Sequence, residues 1–208
     1  MSFIRNNVLF VLFIAAFIFS KFFLIDIFYI PSSSMEPSLF KGDYILVSKV
    51  NTFMTKDFDI KRGDIIVFKE NNDKSFFPKY IIKRVIGISG DNISYGNKTL
   101  FINDKEILND DINQSGNIIT KTEHLIDRNH KIQLDNTVNR DNDSASVYIG
   151  NNEFFVMGDN RDNSMDSRFI GVVDKNNVVG KYDMTLVNFR NIFKDLLWIV
   201  FQIIVSII

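Results

Sequence analysis

The 208-residue sequence contains no cysteine and only two histidines, His124 and His130. The lack of cysteine excludes disulfides, thiolate metal sites and a cysteine nucleophile. The formal net charge is only −1, and because phosphate contacts need a basic surface, this balance argues against nucleic-acid binding. Chemistry in this chain therefore has to depend on serine, lysine and carboxylate side chains. The length allows one compact domain with an appendage.

Apolar residues are concentrated at the two ends of the chain. After a short head, residues 1–7, the segment 8–30 carries only Lys21 and Asp26 as charged residues, and it exceeds the roughly 20 residues that a spanning helix needs. No small-residue cleavage site follows Ser20, so we interpret 8–30 as a signal-anchor that crosses the membrane once, with a cleaved signal peptide as the alternative. With the amino terminus inside, residues 31–191 would form an extracytoplasmic domain.

The second apolar stretch is the carboxyl-terminal tail, residues 192–208. Trp198 follows Lys194 and Asp195, an arrangement typical of a side chain at the headgroup level of a membrane. We interpret the tail as membrane-associated. A helix that covers the domain core and a second span are the alternatives.

Between the two ends the sequence predicts β structure. Residues 95–146 are polar and rich in asparagine, contain both histidines, and are interpreted as an insertion whose charges are hydrated. The expected fold is mainly β, a compact β-sheet or partial barrel that carries this polar β-rich insertion. Apolar or alternating runs of strand length, bounded by turn residues, occur at 44–50, 64–69, 79–88, 99–102 and 153–157.

A serine cluster follows directly on the first apolar segment. Pro31 and Pro37 bracket Ser32, Ser33 and Ser34. Each proline restricts its own φ and the residue before it, so we expect the loop to be extended and rigid. It would present a serine hydroxyl at the membrane surface. A serine-rich linker is the alternative for this segment.

The best candidate for a base is Lys83. A strand over 79–88 would put Lys83 on the same face as the apolar side chains of Ile81 and Val85. Burial there would lower the lysine pKa from about 10.4 towards about 7, so that the amine could accept a proton from Ser34. The alternatives are a lysine that faces solvent from an edge strand, and a histidine base supplied by the insertion.

A third segment, residues 157–168, alternates Asp and Arg with Asn and Ser. This composition is typical of a loop held by side-chain hydrogen bonds. Asp159, Arg161 and Asn163 follow the spacing of a calcium loop, but an arginine at a ligand position and the missing bidentate glutamate argue against calcium. We therefore expect no metal and no other cofactor.

Four motifs occur along the chain, in the order Pro-Ser-x-Ser-Met-x-Pro at 31–37, Arg-Gly-Asp-x-x-Val at 62–67, Lys-Arg-Val-x-Gly-x-x-Gly-Asp at 83–91 and Gly-Asp-Asn-Arg-Asp-Asn-Ser-x-Asp-Ser-Arg at 158–168. Together they resemble the bacterial type I signal peptidase family. The resemblance implies a membrane-bound serine endopeptidase of the bacterial plasma membrane that removes signal peptides from exported preproteins, with membrane lipid as its other partner.

The resemblance also implies roles for individual residues. It assigns Ser34 as the nucleophile and Lys83 as the general base, with Ser164 orienting the lysine. Ser32 and the backbone N–H of Ser34 would form an oxyanion hole. The remaining implied roles are structural ion pairs, Arg84 with Asp159 and Asp166 with Arg168, and an apolar substrate pocket made by Ile30, Met35, Leu39, Ile81 and Ile82.

Two other functions stay open from the sequence. A self-cleaving Ser–Lys repressor-type protease resembles this fold, but the residues before Ser34 are an apolar segment rather than a DNA-binding domain. A catalytically inactive, membrane-anchored β-domain that acts as a receptor or adaptor would need none of Ser34, Lys83 and Ser164.

Overall fold

The computed structural model describes residues 8, 10–15, 24–49, 59–70, 79–138 and 145–187. Within these ranges the protein is mainly β, as predicted, with fourteen strands in three sheets whose strand pairs are antiparallel. The head, 1–7, and the tail, 192–208, lie outside the described residues. The strands are β1 Ile25–Tyr29, β2 Tyr44–Lys49, β3 Ile65–Lys69, β4 Tyr80–Gly87, β5 Asn92–Gly96, β6 Thr99–Ile102, β7 Lys105–Glu106, β8 Asn109–Ser115, β9 Ile118–His124, β10 Asn129–Asp135, β11 Ala145–Tyr148, β12 Glu153–Met157, β13 Val173–Asp174 and β14 Val178–Val187.

The largest sheet has seven strands in the order β1-β2-β14-β3-β4-β12-β13. The five predicted strands are confirmed as β2, β3, β4, β6 and β12, each within one residue of its expected ends. In β4 all five positions from Lys83 to Gly87 are buried, so its second half is covered on both faces. The two charged residues of this half, Lys83 and Arg84, are therefore buried together with Val85, Ile86 and Gly87.

The first apolar segment ends earlier than the sequence suggested. Residues 10–15 are helical and exposed, but Ile25–Tyr29 forms β1, which pairs with β2 so that Tyr29 lies opposite Tyr44. The last part of the predicted membrane segment 8–30 thus contributes a strand to the largest sheet. Its β-branched and aromatic residues are compatible with a strand as well as with an apolar helix, so an apolar run alone does not distinguish the two. No helix among the described residues is both long and apolar enough to cross a membrane.

The polar region 95–146 forms two small sheets. One contains four strands in the order β11-β5-β6-β7, and the other is a meander of β10, β9 and β8. The two ends of the region pair with each other, since Tyr95 of β5 lies opposite Ala145 of β11. A parallel bridge joins Gln133, in β10 of the meander, to Asn160. The region therefore contacts the segment that follows β12.

Candidate active site

Ser34 lies in the loop between β1 and β2. The loop is a succession of turns, in which Glu36 N donates to Ser33 O at 3.1 Å, so the predicted extended conformation is wrong. The fixed φ of proline suits a turn as well as an extended chain. The loop is anchored in the core below it by its own apolar side chains, Ile30, Met35 and Leu39.

Lys83 projects from β4 towards this loop. Its Nζ lies 2.8 Å from Ser34 Oγ and donates to the carbonyl oxygen of Ile82 at 3.0 Å. Only 4% of the residue is exposed, and burial lowers the lysine pKa from 10.5 to about 8, against the opposing charges of Asp166 and Asp159. Among the described residues no carboxylate lies within ion-pair distance of Nζ. A part of the Lys83 population is therefore neutral near pH 7 to 8 and can accept a proton.

Ser32 lies next to the candidate nucleophile. Its Oγ is 3.3 Å from Ser34 Oγ, and the residue is exposed to solvent. A hydroxyl at this position can donate to an oxygen atom that develops negative charge beside Ser34.

Ser164 does not hydrogen-bond to Lys83 in this structure. Its Oγ is buried, makes no hydrogen bond of regular geometry within the described part of the chain, and lies close enough to the Asp166 carboxylate to help lower its pKa. Ser164 packs against Gly158. A Cβ atom on Gly158 would overlap Ser164 Oγ and come within 2.6 Å of the carbonyl oxygen of Ser34, so only glycine allows this approach.

The two implied ion pairs brace the segment 158–168. Arg84 Nε and Nη2 donate to both carboxylate oxygens of Asp159 at 2.8 and 2.7 Å. Arg168 Nε and Nη2 donate to both oxygens of Asp166 at 2.8 and 2.9 Å. Asp166 also accepts from the backbone N–H of Gly158 at 2.9 Å. These bidentate contacts fix the backbone on which Ser164 sits.

A cleft of about 520 Å³ opens beside Ser34 and Lys83. Four of the five predicted pocket residues, Ile30, Met35, Ile81 and Ile82, line it. Leu39 does not line it, because it is 1% exposed in the core beneath the loop. The apolar lining residues that the sequence did not single out are Phe28, Tyr29, Tyr80 and Met165.

Two asparagines to which the sequence analysis gave no role at the serine loop join the segment to it. Asn160 N donates to Ser34 O at 3.1 Å, and its Nδ2 donates to Ser33 O at 3.2 Å. Asn163 Nδ2 donates to Ser33 Oγ at 2.8 Å. The sequence places both asparagines in the motif at 158–168. It does not predict their partners, because an asparagine can hydrogen-bond to almost any polar group.

A second cluster of charged groups lies behind the segment. Arg161, 1% exposed, donates through Nη1 to Glu123 Oε1 at 2.6 Å and through Nη2 to Glu123 Oε2. Glu123 belongs to β9, so the expectation that charges of region 95–146 are hydrated is wrong for this residue. His130 Nε2 lies 3.3 Å from Glu123 Oε2 and 3.8 Å from Asp159 Oδ1. His124 contacts Asp110, and neither histidine is bonded to Ser34 among the described residues.

The described residues hold no group of three or more side chains that could bind a metal ion. The candidate site consists of a serine, a buried lysine and a largely apolar cleft.

Comparison with known proteins gives one family. The family model for signal peptidase, peptidase S26, matches residues 3–187. Signal peptidase I P from Bacillus subtilis subsp. natto is 33% identical over 159 residues, which cover 76% of this chain and 75% of the relative. Signal peptidase IB from Staphylococcus aureus strain N315 is 33% identical, with 82% of each chain covered.

Two further matches differ in coverage. Signal peptidase I from Pseudomonas fluorescens is 34% identical, and the match covers 76% of this chain but 63% of that longer relative. The crystal structure of a signal peptidase I from Enterococcus faecalis V583 is 27% identical, with 59% of this chain and 96% of that chain covered and a TM-score of 0.36. From the family model and the curated relatives, the chain belongs to the signal peptidase family, peptidase S26.

Proposed function

We propose that this protein removes signal peptides from exported preproteins as a serine endopeptidase, with Ser34 as the nucleophile and Lys83 as the general base. The observation that carries the proposal is the 2.8 Å separation of Ser34 Oγ and Lys83 Nζ at the wall of an apolar cleft. The relatives are all named signal peptidases, so the repressor-type protease and the inactive adaptor have no support from them.

The reaction would proceed through an acyl-enzyme. Neutral Lys83 accepts the hydroxyl proton as Ser34 Oγ attacks the scissile carbonyl carbon, and the resulting ammonium then protonates the leaving amine. A water molecule, deprotonated by the same lysine, hydrolyses the ester and releases Ser34. The low lysine pKa supports this cycle, because the amine must be able to both accept and return a proton near neutral pH.

The tetrahedral oxyanion would be held beside Ser32. The Ser32 hydroxyl, 3.3 Å from Ser34 Oγ, and the backbone N–H of Ser34 are the proposed donors. Preorganised donors of this kind stabilise the charge that develops in the transition state more than they stabilise the substrate.

The substrate would lie extended in the cleft. Ile81 and Ile82 of β4 form one part of the lining, and Ile30 and Met35 of the serine loop form another. The apolar part of the lining suits the small uncharged side chains that precede the cleavage point. Ser164 would orient Lys83 only after a rearrangement, since the two are not hydrogen-bonded in this structure.

We also propose that the site faces the extracytoplasmic side of the bacterial plasma membrane, with residues before β1 as a single anchor. Residues 10–15 are helical, apolar and exposed. Near the cleft, Ile27, Tyr29 and Tyr44 are exposed apolar side chains of the β1–β2 edge, and aromatic residues of this kind are favoured at membrane interfaces. Membrane lipid is therefore the second proposed partner.

The test is cleavage of a preprotein by the full chain in detergent micelles or lipid vesicles. Ser34→Ala and Lys83→Ala are each expected to abolish processing while the thermal unfolding transition stays close to that of the wild type. The matched controls are Ser89→Ala and Lys105→Ala, which change exposed residues outside the cleft. Processing that survives Ser34→Ala would refute the mechanism.

A further inference from the structure

The segment 158–168 is packed between the serine loop and the polar region 95–146. On its front side, Asn160 and Asn163 bond to the serine loop. On its back side it meets strands of the polar region. There Gln133 N donates to Asp159 O at 2.8 Å, Asp135 N donates to an Asp162 carboxylate oxygen at 2.7 Å, and Lys98 Nζ donates to the same oxygen at 3.0 Å.

The most deeply buried contact on the back side is the Glu123–Arg161 pair. Glu123 is 0% exposed and Arg161 is 1% exposed. A buried ion pair is a weak source of stability, because an apolar pair of the same volume is often as stable or more so. Its bidentate geometry, in contrast, restricts where the arginine can lie. The pair is therefore better suited to fixing a position than to adding stability.

Arg161 connects the ion pair with Glu123 to the backbone of the segment 158–168. Its Nε donates to Gly158 O at 3.2 Å, and its own carbonyl oxygen accepts from Arg168 Nη2 at 2.6 Å. The Gly158 backbone lies close to the carbonyl oxygen of Ser34, since a Cβ atom there would come within 2.6 Å of it, and Asn160 N donates to the same oxygen. A continuous series of contacts thus runs from Glu123 through Arg161 and Gly158 to Ser34.

We propose that Glu123 is a positioning residue for catalysis, which acts through Arg161 and Gly158 to hold the Ser34 loop at hydrogen-bonding distance from Lys83. The polar region 95–146 is then a part of the support of the active site, not an appendage to the domain. The inference rests on the proposed roles of Ser34 and Lys83.

The experiment separates positioning from stability. The double variant Glu123→Leu/Arg161→Met replaces the ion pair by apolar groups of similar volume, so its thermal unfolding temperature should stay close to that of the wild type. It removes the bond from Arg161 Nε to Gly158 O. We expect kcat for preprotein cleavage to fall by about 10- to 100-fold, while KM changes by less than about twofold because the cleft itself is unaltered.

The single variant Glu123→Asp provides a second measurement, which is decisive if the double variant fails to fold. It keeps the charge and shortens the side chain, so Arg161 must shift to keep its partner. We expect a lower kcat without a comparable loss of thermal stability. The rising limb of the pH profile of kcat/KM should stay where it is in the wild type, since the charges that act on Lys83 are those of other residues.

Asp111→Asn is the matched control. Asp111 is an exposed carboxylate of β8 that pairs with Lys121 at 3.0 Å, and its substitution should change neither kcat nor stability. Wild-type kcat in a folded double variant, or in Glu123→Asp if the double variant is unfolded, overturns the inference but leaves the proposed function intact. Cleavage by Ser34→Ala would instead overturn the proposed function itself.

Discussion

The front and the back of the segment 158–168 both bury charged groups, but in opposite ways. On the front, the Lys83 ammonium has no carboxylate in contact among the described residues, and burial lowers its pKa to about 8. On the back, burial alone would raise the pKa of Glu123, but the charge and hydrogen bonds of Arg161 outweigh it and hold the pKa at about 2. The same low-dielectric interior thus gives a reactive amine on one side and a fixed ion pair on the other.

The difference lies in the partner and not in the depth of burial. An unpaired buried ammonium is destabilised relative to the neutral amine, so it becomes available as a base. A paired buried carboxylate stays ionised and holds its arginine in one geometry. The front is therefore suited to proton transfer and the back to positioning.

The largest expected effect comes from replacing Lys83 by a residue that cannot release its proton. Lys83→Arg keeps the positive charge, but a guanidinium does not give up its proton. We expect kcat/KM for preprotein cleavage to fall by about 10²- to 10⁴-fold, the usual contribution of a general base. Lys105→Arg, at an exposed position of β7, should leave the rate unchanged. Wild-type activity of Lys83→Arg would show that Lys83 is not the base.

A smaller effect is expected where the front and the back meet. Gly158→Ala would place a methyl group against Ser164 and the Ser34 carbonyl, which displaces the serine loop from Lys83. We expect kcat to fall by about 100-fold, as displacements of about 1 Å do in other enzymes.

Gly96→Ala is the control for the Gly158 substitution. A Cβ atom there has open space around it, so activity should be retained. Equal activity of Gly158→Ala and wild type would show that the close approach of the segment is not needed for catalysis.

The smallest expected effect is a shift in the pH profile. Lys83 must be neutral to act, so kcat/KM of the wild type should rise with pH through a limb near the lysine pKa of about 8. Asp159 raises that pKa by its negative charge. Asp159→Asn should therefore move the limb to lower pH.

The measurement is kcat/KM against pH for both proteins, with Asp111→Asn as the control and thermal unfolding as a check of the fold. A limb that moves to higher pH in Asp159→Asn would contradict the electrostatic coupling. An unchanged limb would mean that Asp159 affects the site only through its geometry and not through the basicity of Lys83.

Much of the fold could be read from local patterns. The strands at 44–49, 65–69, 80–87, 99–102 and 153–157 were predicted within a residue because strand periodicity and turn residues are local signals. At 25–29 the local apolar pattern was ambiguous, because an apolar stretch is compatible with a helix or with a strand. Pairing with β2, which decides between them, depends on residues distant in sequence.

The candidate site was predictable in its members but not in all of its contacts. The motifs singled out Ser34, Lys83 and the ion-pair residues, and four of the five pocket residues line the cleft. Leu39 turned out to support the loop from below, because its side chain joins the core around β2 and β3. Ser164, Asn160 and Asn163 all lie at the site, but hydroxyl and amide groups bond to many partners and their spacing does not choose one.

The sequence by itself determined that the chemistry would depend on serine and lysine, where five of the fourteen described strands begin and end, and which loops carry the polar motifs. These properties follow from residue type and from patterns a few residues long. The tertiary structure alone decided that no carboxylate among the described residues contacts the buried Lys83, that the Gly158 backbone lies close to the Ser34 loop and that Glu123 binds Arg161. Burial and charge pairing depend on which distant surfaces meet, and many arrangements of a polar, charged segment are compatible with the same local pattern.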